Sequence, residues 1–269
     1  MNKKVNLFVI GAQKCGTTSL VHLLKNHPEV ATMTIKEGQF FTAWKDKYPE
    51  MTPEDFYASR FKKEAKVMID ASTSYSFYGN GEKAVQRIMD YNPQAKFIYI
   101  VREPIERTIS HYQHALVRGA HLKPIDEAVL SGRFINNSKY FSCILPFTEK
   151  VSNENLLILD LRELILFNAD IRKQLSIFME IELENDIQFP VSNQSVGQEI
   201  ASYTYRKWKR ALLKYLPDSM RLWVKNRFFL KKLETKLSIK PDTRLQLQQS
   251  LKGEMEAFYA LTGIDYRYD

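Results

Sequence analysis

A short apolar run that breaks at a glycine loop and resumes as a helix leaves a chain few folds to choose from. Val5 to Ile10 is such a run, and Gly11 to Gly16 is the loop. Leu20, Leu23 and Leu24 then recur at helical spacing until His27-Pro28 stops the helix. Such a turn gathers backbone N–H groups and a helix N-terminus at one point, which suits an anion. The alternation continues down the chain. The spacing predicts helices over Pro53 to Phe61 (capped by Thr52), Gly81 to Tyr91, Pro104 to Arg118 and Glu163 to Met179. It predicts further strands at Val67 to Ile69, Ala95 to Val101 and Leu156 to Leu161. Strands alternating with helices define an α/β class: a P-loop-type, doubly wound parallel sheet flanked by helices. Ligands in such sheets bind at the C-terminal strand ends, where the glycine loop and Arg102 both fall.

The chain's 269 residues suit one domain. We expect a donor-binding α/β core over 1–195 and a basic helical C-terminal part over 196–269, with helices at Tyr203 to Tyr215, Met220 to Leu233 and from Pro241 to Leu261, ended by Gly263. Two cysteines, Cys15 and Cys143, make neither a disulfide framework nor a four-cysteine metal site. No stretch approaches the ~20 apolar residues of a membrane span, and the N-terminal run lacks a signal-peptide pattern, so the expected location is cytoplasmic. The formal charge of +8 is unevenly spread: between Ala201 and Lys236 eleven basic residues face only Asp218 and Glu234. Such a patch implies an anionic partner: nucleotide phosphates, a charged glycan or a membrane surface. Trp208, Tyr215, Trp223 and Phe228 interleave with these cations. That suits peripheral membrane contact through 201–236, and equally a core-packing face with a solvated basic side. No nucleic-acid-binding motif is present.

The loop departs from the common triphosphate pattern G-x-x-x-x-G-K-[ST]. The glycine spacing is kept, but Thr17 follows Gly16 and the lysine, Lys14, lies inside the loop. There it sits close to a shorter anion, with the hydroxyls of Thr17, Thr18 and Ser19 beside it. Cys15 reads as a small spacer.

The stretch Gly11-Ala12-Gln13-Lys14-Cys15-Gly16-Thr17-Thr18-Ser19-Leu20 resembles the 5′-phosphosulfate loop of the sulfotransferase superfamily. The resemblance implies a donor, 3′-phosphoadenylyl sulfate, bound by Gln13, Lys14, Cys15, Gly16, Thr17, Thr18 and Ser19, with adenosine 3′,5′-bisphosphate as product. Val101-Arg102-Glu103-Pro104 and the following Ser110 resemble the family's 3′-phosphate motif, which assigns Arg102 and Ser110 to that group. Lys36-Glu37-Gly38-Gln39-Phe40-Phe41 is similar to the Glu-x-x-Phe-Phe segment of heparan-sulfate-type enzymes. In those, the glutamate deprotonates the acceptor, so Glu37 becomes the expected base. Ser110-His111-Tyr112-Gln113-His114 resembles a stretch of the glycan N-sulfotransferases in which the histidine faces the acceptor, and His114 matches it. The tyrosine of Ser138-Lys139-Tyr140 and the pair Asn193 and Ser195 fall at further family landmarks.

The resemblance implies sulfuryl transfer to a hydroxyl or amine of a carbohydrate or glycoconjugate. Glu37 acts as base, Lys14 and the loop stabilise the departing nucleotide, and no metal is required. Two departures stand out. Ala71 replaces the lysine that usually follows the acidic residue ending the second core strand; Lys36 or Arg118 are the candidates to replace that cation. The disulfide-closed Lys-Gly-Arg loop of vertebrate members is also missing, leaving Arg206, Lys207, Lys209 or Arg210 as candidates at the 3′-phosphate. Two rival classes remain: a P-loop small-molecule kinase, which needs lysine at 17 and magnesium, and a non-catalytic protein that binds an anionic glycan or membrane.

Overall fold

The computed structural model describes residues 4–184, 189, 199–201, 230–232 and 237–268. Contacts divide the chain into two compact units: 1–104, 139–192 and 251–269 form the first, and 105–138 with 193–250 the second.

The first unit holds a five-stranded sheet: β1 (Leu7–Gly11), β2 (Val30–Thr32), β3 (Val67–Ala71), β4 (Lys96–Val101) and β5 (Leu156–Asp160). Its order is β2-β3-β1-β4-β5, and every pairing is parallel. This is the expected α/β architecture. β1 is central and buried along its whole length, with Phe8 opposite Asp70 of β3 and Phe97 of β4. The chain runs from β1 to β3 on one side and to β4 and β5 on the other. The loop after Gly11 therefore lies at the topological switch point, where α/β sheets bind their ligands.

An aromatic core packs this sheet. Phe8 stacks on Phe97 and meets Phe41 edge-on, while Phe40 lies against Phe41 and Phe56. All are at most 2% exposed, and each such ring stabilises the fold by roughly 1.5–3 kcal/mol.

Local signals explain some of the element boundaries. The Thr52 hydroxyl accepts from the Asp55 N–H and starts the helix Pro53–Ala58. The helix Gly81–Tyr91 spans the predicted residues. The helix predicted over Glu163 to Met179 is instead two, Leu161–Leu166 and Ala169–Met179. Phe167 takes a left-handed conformation, and the Asn168 side chain accepts from the Ile171 N–H to start the second helix. β2 and a helix at Tyr140–Lys150, with Pro146 inside it, have no counterpart among the predicted elements.

In the second unit, Glu199–Ala201 pairs antiparallel with Leu230–Lys232. That corrects the helix expected through Leu233 at its last residues; short apolar runs do not distinguish helix from strand by spacing. The rest of the basic segment lies outside the described residues. The last helix is Pro241–Thr262, and Gly263 ends it with φ 73°. Its Leu251, Met255 and Phe258 are buried. Among the described residues, no helix is long and apolar enough to cross a membrane.

Candidate functional site

β1 delivers the chain into a tight loop. Gly11 is required there by close approach: a Cβ would stand 2.2 Å from Ser76 Oγ and 2.7 Å from Tyr99 Cε2. Ser76 Oγ donates to the Ile10 carbonyl at 2.6 Å, and the Ala12 N–H donates to the Ile100 carbonyl at 2.7 Å. These bonds tie the start of the loop to β4 and to the turn Thr73–Ser76 that follows β3. Lys14 and Gly16 have φ of 72° and 88°. Left-handed residues alternating along a loop turn its N–H groups inward and form an anion nest. The helix Thr17–Leu24 follows, and its first-turn N–H groups have no intrahelical acceptor. Thr17, Thr18 and Ser19 thus stand at an anion-binding helix end. The Gln13 Oε1 is buried with no hydrogen-bond partner among the described residues, so the loop retains an acceptor for a ligand.

Arg102 follows β4. Its Nη1 donates to the Lys14 carbonyl at 3.4 Å, so the strand-end arginine and the loop lysine are neighbours as the sequence implied. Tyr140 fixes this arginine. The Tyr140 hydroxyl donates to the Arg102 carbonyl at 2.8 Å and accepts from the Arg102 N–H at 3.4 Å. The same hydroxyl lies 3.7 Å from Cys15 Sγ, so Cys15 is more than a spacer: it packs the loop against the residue that holds Arg102. The sequence marked Tyr140 only as a landmark.

Glu37 lies on a strap between β2 and the π-helical turn Phe40–Trp44. Its carboxylate accepts from the Thr73 N–H at 2.8 Å and from the Thr73 hydroxyl at 3.1 Å, and its own N–H donates to the Ala71 carbonyl at 3.2 Å. Burial pushes the Glu37 carboxyl above its ordinary value near 4.5. Lys36 and the Thr73 bonds oppose that shift, and Asp70 adds to it. Glu37 and Gln39 have φ of 60° and 55°, a region costing side-chain-bearing residues roughly 1–2 kcal/mol each.

Lys36 joins the two parts of the site. Its Nζ donates to Thr18 Oγ1 on the loop helix and lies 3.8 Å from Glu37 Oε1. Of the two candidate cations, Lys36 is the one this geometry places beside Glu37.

Asp70 is the last residue but one of β3. It is fully buried and accepts from the hydroxyls of Tyr57 at 2.8 Å, Tyr75 at 2.6 Å and Ser72 at 2.6 Å. Thr73, Ser72 and Tyr57 gave no sequence signal, because their roles depend on contacts far along the chain.

Ser110 and His114 both lie in the second unit, half-buried on the helix Pro104–Val117. One turn earlier, the Arg107 guanidinium is wholly buried; its Nε donates to Ser138 Oγ at 2.5 Å and its Nη2 to the Phe134 carbonyl. Arg118 is exposed just past that helix. Arg206, Lys207, Lys209 and Arg210 lie outside the described residues. A cavity of about 660 Å³ in the first unit is lined by Asp160, Arg162, Glu163 and Asp265 among others; neither the loop, Arg102 nor Glu37 borders it.

A parallel α/β sheet with an anion-binding loop at its switch point defines a phosphate-loop protein, here with a lysine inside the loop and a half-buried carboxylate beside Lys36. The chain belongs to the sulfotransferase domain family, whose pattern matches residues 4–236. Over 115 residues it is 31% identical to the membrane-associated sulfotransferase kil1 of Dictyostelium discoideum, covering 41% of this chain and 23% of that protein. Over 197 residues it is 25% identical to the bifunctional heparan sulfate N-deacetylase/N-sulfotransferase 1 of Caenorhabditis elegans, covering 65% and 22%. The chain thus spans about a quarter or less of these relatives' length. A sulfotransferase from Alicyclobacillus acidocaldarius shares the fold, with TM-score 0.66 and 18% identity over 98% of this chain and 97% of that one.

Proposed function

We propose that this protein transfers a sulfuryl group from 3′-phosphoadenylyl sulfate to a hydroxyl or amine of a carbohydrate or glycoconjugate. The observation that carries this reading is the bridge made by Lys36, which reaches the phosphate-loop helix at Thr18 and lies 3.8 Å from a partly buried Glu37. A base and an anion loop held by one lysine suit attack on an activated anionic group.

The nest at Lys14 and Gly16 and the first-turn hydroxyls fit such a donor. When bound, the donor supplies the activated sulfuryl group. Lys14, Gly16, Thr17, Thr18 and Ser19 hold its 5′ end, and Arg102 offers its guanidinium to the 3′-phosphate. Ser110 is assigned to that phosphate, and His114 to the acceptor, on the family resemblance. Glu37 takes the acceptor's proton at its carboxylate. Lys36 supplies the positive charge that Ala71 does not. A magnesium-dependent kinase would need an open strand-end carboxylate, and both oxygens of Asp70 already accept from hydroxyls. The similarity to kil1, named as membrane-associated, supports peripheral membrane contact as an extension of the proposal, and the basic composition of 201–236 makes that segment the candidate for it.

Calorimetry with adenosine 3′,5′-bisphosphate, run in excess chelator, tests the donor. Binding that Lys14→Ala weakens by at least about tenfold supports the reading. Tighter binding of ATP, dependent on magnesium, overturns it in favour of the kinase. Transfer of radiolabelled sulfate to a panel of glycans then identifies the acceptor class.

A further inference from the structure

The buried carboxylate of Asp70 has no place in the reaction outlined above, yet it receives three hydroxyl protons. Tyr57 and Tyr75 both donate to Oδ2, at 2.8 and 2.6 Å, and Ser72 donates to Oδ1 at 2.6 Å. Ser72 is itself fully buried. Because its proton goes to Asp70, its oxygen is left to accept, and it accepts from the Gln39 N–H at 2.9 Å. The result is a directed chain: Gln39 N–H to Ser72 O–H to Asp70 carboxylate. Each bond in such a chain polarises the next, and an anionic end strengthens the whole.

Gln39 is two residues from Glu37 on the same strap. Both adopt left-handed backbone conformations, at φ 55° and 60°, with Gly38 between them. Residues with side chains hold that conformation only where their surroundings fix it. On one side, Thr73 and the Ala71 carbonyl hold Glu37. On the other, the Ser72 hydroxyl holds the backbone of Gln39. Phe40 and Phe41 follow immediately and are buried in the core, so the strap is clamped at Gln39 before it enters the packed aromatic cluster.

We infer that Asp70 and Ser72 are positioning residues for Glu37: the buried carboxylate orients the Ser72 hydroxyl, and that hydroxyl holds the strap in the conformation that presents the base. The inference rests on Glu37 being the base, and it goes beyond that assignment by explaining how the base is kept in place. It also gives a role to an aspartate whose position at a strand end would otherwise suggest metal binding.

Three variants test it. Ser72→Ala cuts the chain at its middle while leaving Asp70 with both tyrosine donors. Tyr57→Phe removes one donor from Asp70 but leaves the Gln39–Ser72–Asp70 chain whole, and so reports what general loosening of this buried cluster does. Glu37→Gln is the reference for loss of the base. The readouts are amide hydrogen exchange of the 37–39 segment, turnover, and the dissociation constant for adenosine 3′,5′-bisphosphate.

For Ser72→Ala, exchange in this segment rises by about 10-fold or more, the scale set by losing one buried hydrogen bond. Turnover falls by about 10- to 100-fold, because a base displaced by even a fraction of its bond length loses much of its effect. Nucleotide affinity stays within about twofold of wild type. Tyr57→Phe lowers the melting temperature while leaving exchange at 37–39 and turnover within about threefold. The inference fails if Ser72→Ala leaves exchange at 37–39 unchanged, or if Tyr57→Phe reproduces its exchange and turnover losses in full. Full turnover in Glu37→Gln instead removes the base assignment and leaves the exchange result to judge the clamp alone. Exchange needs no acceptor, so the clamp is decided before the acceptor is known.

Discussion

Replacing Glu37 by glutamine separates the chemistry of this site from its architecture. The amide oxygen of the introduced glutamine can still accept the Thr73 N–H that Glu37 accepts at 2.8 Å, and the Ala71 carbonyl still receives the backbone N–H at this position. The strap therefore stays in place, and what is lost is the proposed proton acceptor. General base catalysis contributes about 10²–10⁴-fold, so kcat falls by that factor in an assay with radiolabelled donor. The dissociation constant for adenosine 3′,5′-bisphosphate stays within about twofold, because Glu37 touches no residue assigned to the nucleotide except through Lys36. The pH dependence carries a sign. Burial holds the Glu37 carboxyl above about 4.5, and a base works only when ionised, so the acid limb of kcat lies above that value. Lys36 pulls the same group down, so Lys36→Ala moves the acid limb to higher pH. The stability sign runs the other way. A carboxyl raised in the fold favours folding fully below about 4.5, and that contribution is lost as pH rises through the folded value. Removing the charge in Glu37→Gln consequently leaves the melting temperature at pH 7 unchanged or higher. Retention of more than a tenth of wild-type turnover in Glu37→Gln, or an acid limb that ignores Lys36→Ala, refutes the assignment.

Two further substitutions probe the loop. Gly11→Ala drives a methyl group to 2.2 Å from Ser76 Oγ; overpacking of this kind costs about 1–3 kcal/mol. Calorimetric unfolding should show a lower melting temperature by roughly 2–4 °C for each kcal/mol, and an unchanged value would mean the loop has room that the geometry denies. Tyr140→Phe removes the hydroxyl shared by Arg102 and Cys15. Losing that bond, worth about 1 kcal/mol, should weaken adenosine 3′,5′-bisphosphate binding about fivefold; titration calorimetry showing no change would remove Tyr140 from the donor site.

Where a local signal was sufficient, the sequence was easy to read. Helix Gly81–Tyr91 and the cap at Thr52 depend on residues a few positions apart, and both stand as predicted. The loop stood out because its lysine sits inside the turn and not after Gly16, whereas Arg102 and Glu37 were assigned on the resemblance of their segments to family motifs. β2 was hidden because three residues cannot show a period of two. The helix Tyr140–Lys150 was hidden by Pro146, a residue that normally argues against one. The break at Phe167 and Asn168 was missed because Asn as a helix start is visible only once the preceding helix is seen to end. The partners of Glu37 and Asp70 were out of reach for a different reason. Thr73 lies 36 positions from Glu37, and Ser72 33 from Gln39. Nothing in either segment signals the other, because parallel strands bring them together only when the sheet forms.

Lys14 and Glu37 share one awkward property: each has a side chain in a backbone region that suits glycine. An engineer selecting only for heat resistance would find that replacing either with glycine relieves about 1 kcal/mol of backbone strain. The same screen would favour discarding a half-buried carboxylate. The most accessible gains in durability thus fall on the residues assigned to the proposed reaction. Any campaign to harden this fold needs a turnover filter at every round, or it will converge on an inert phosphate-loop scaffold.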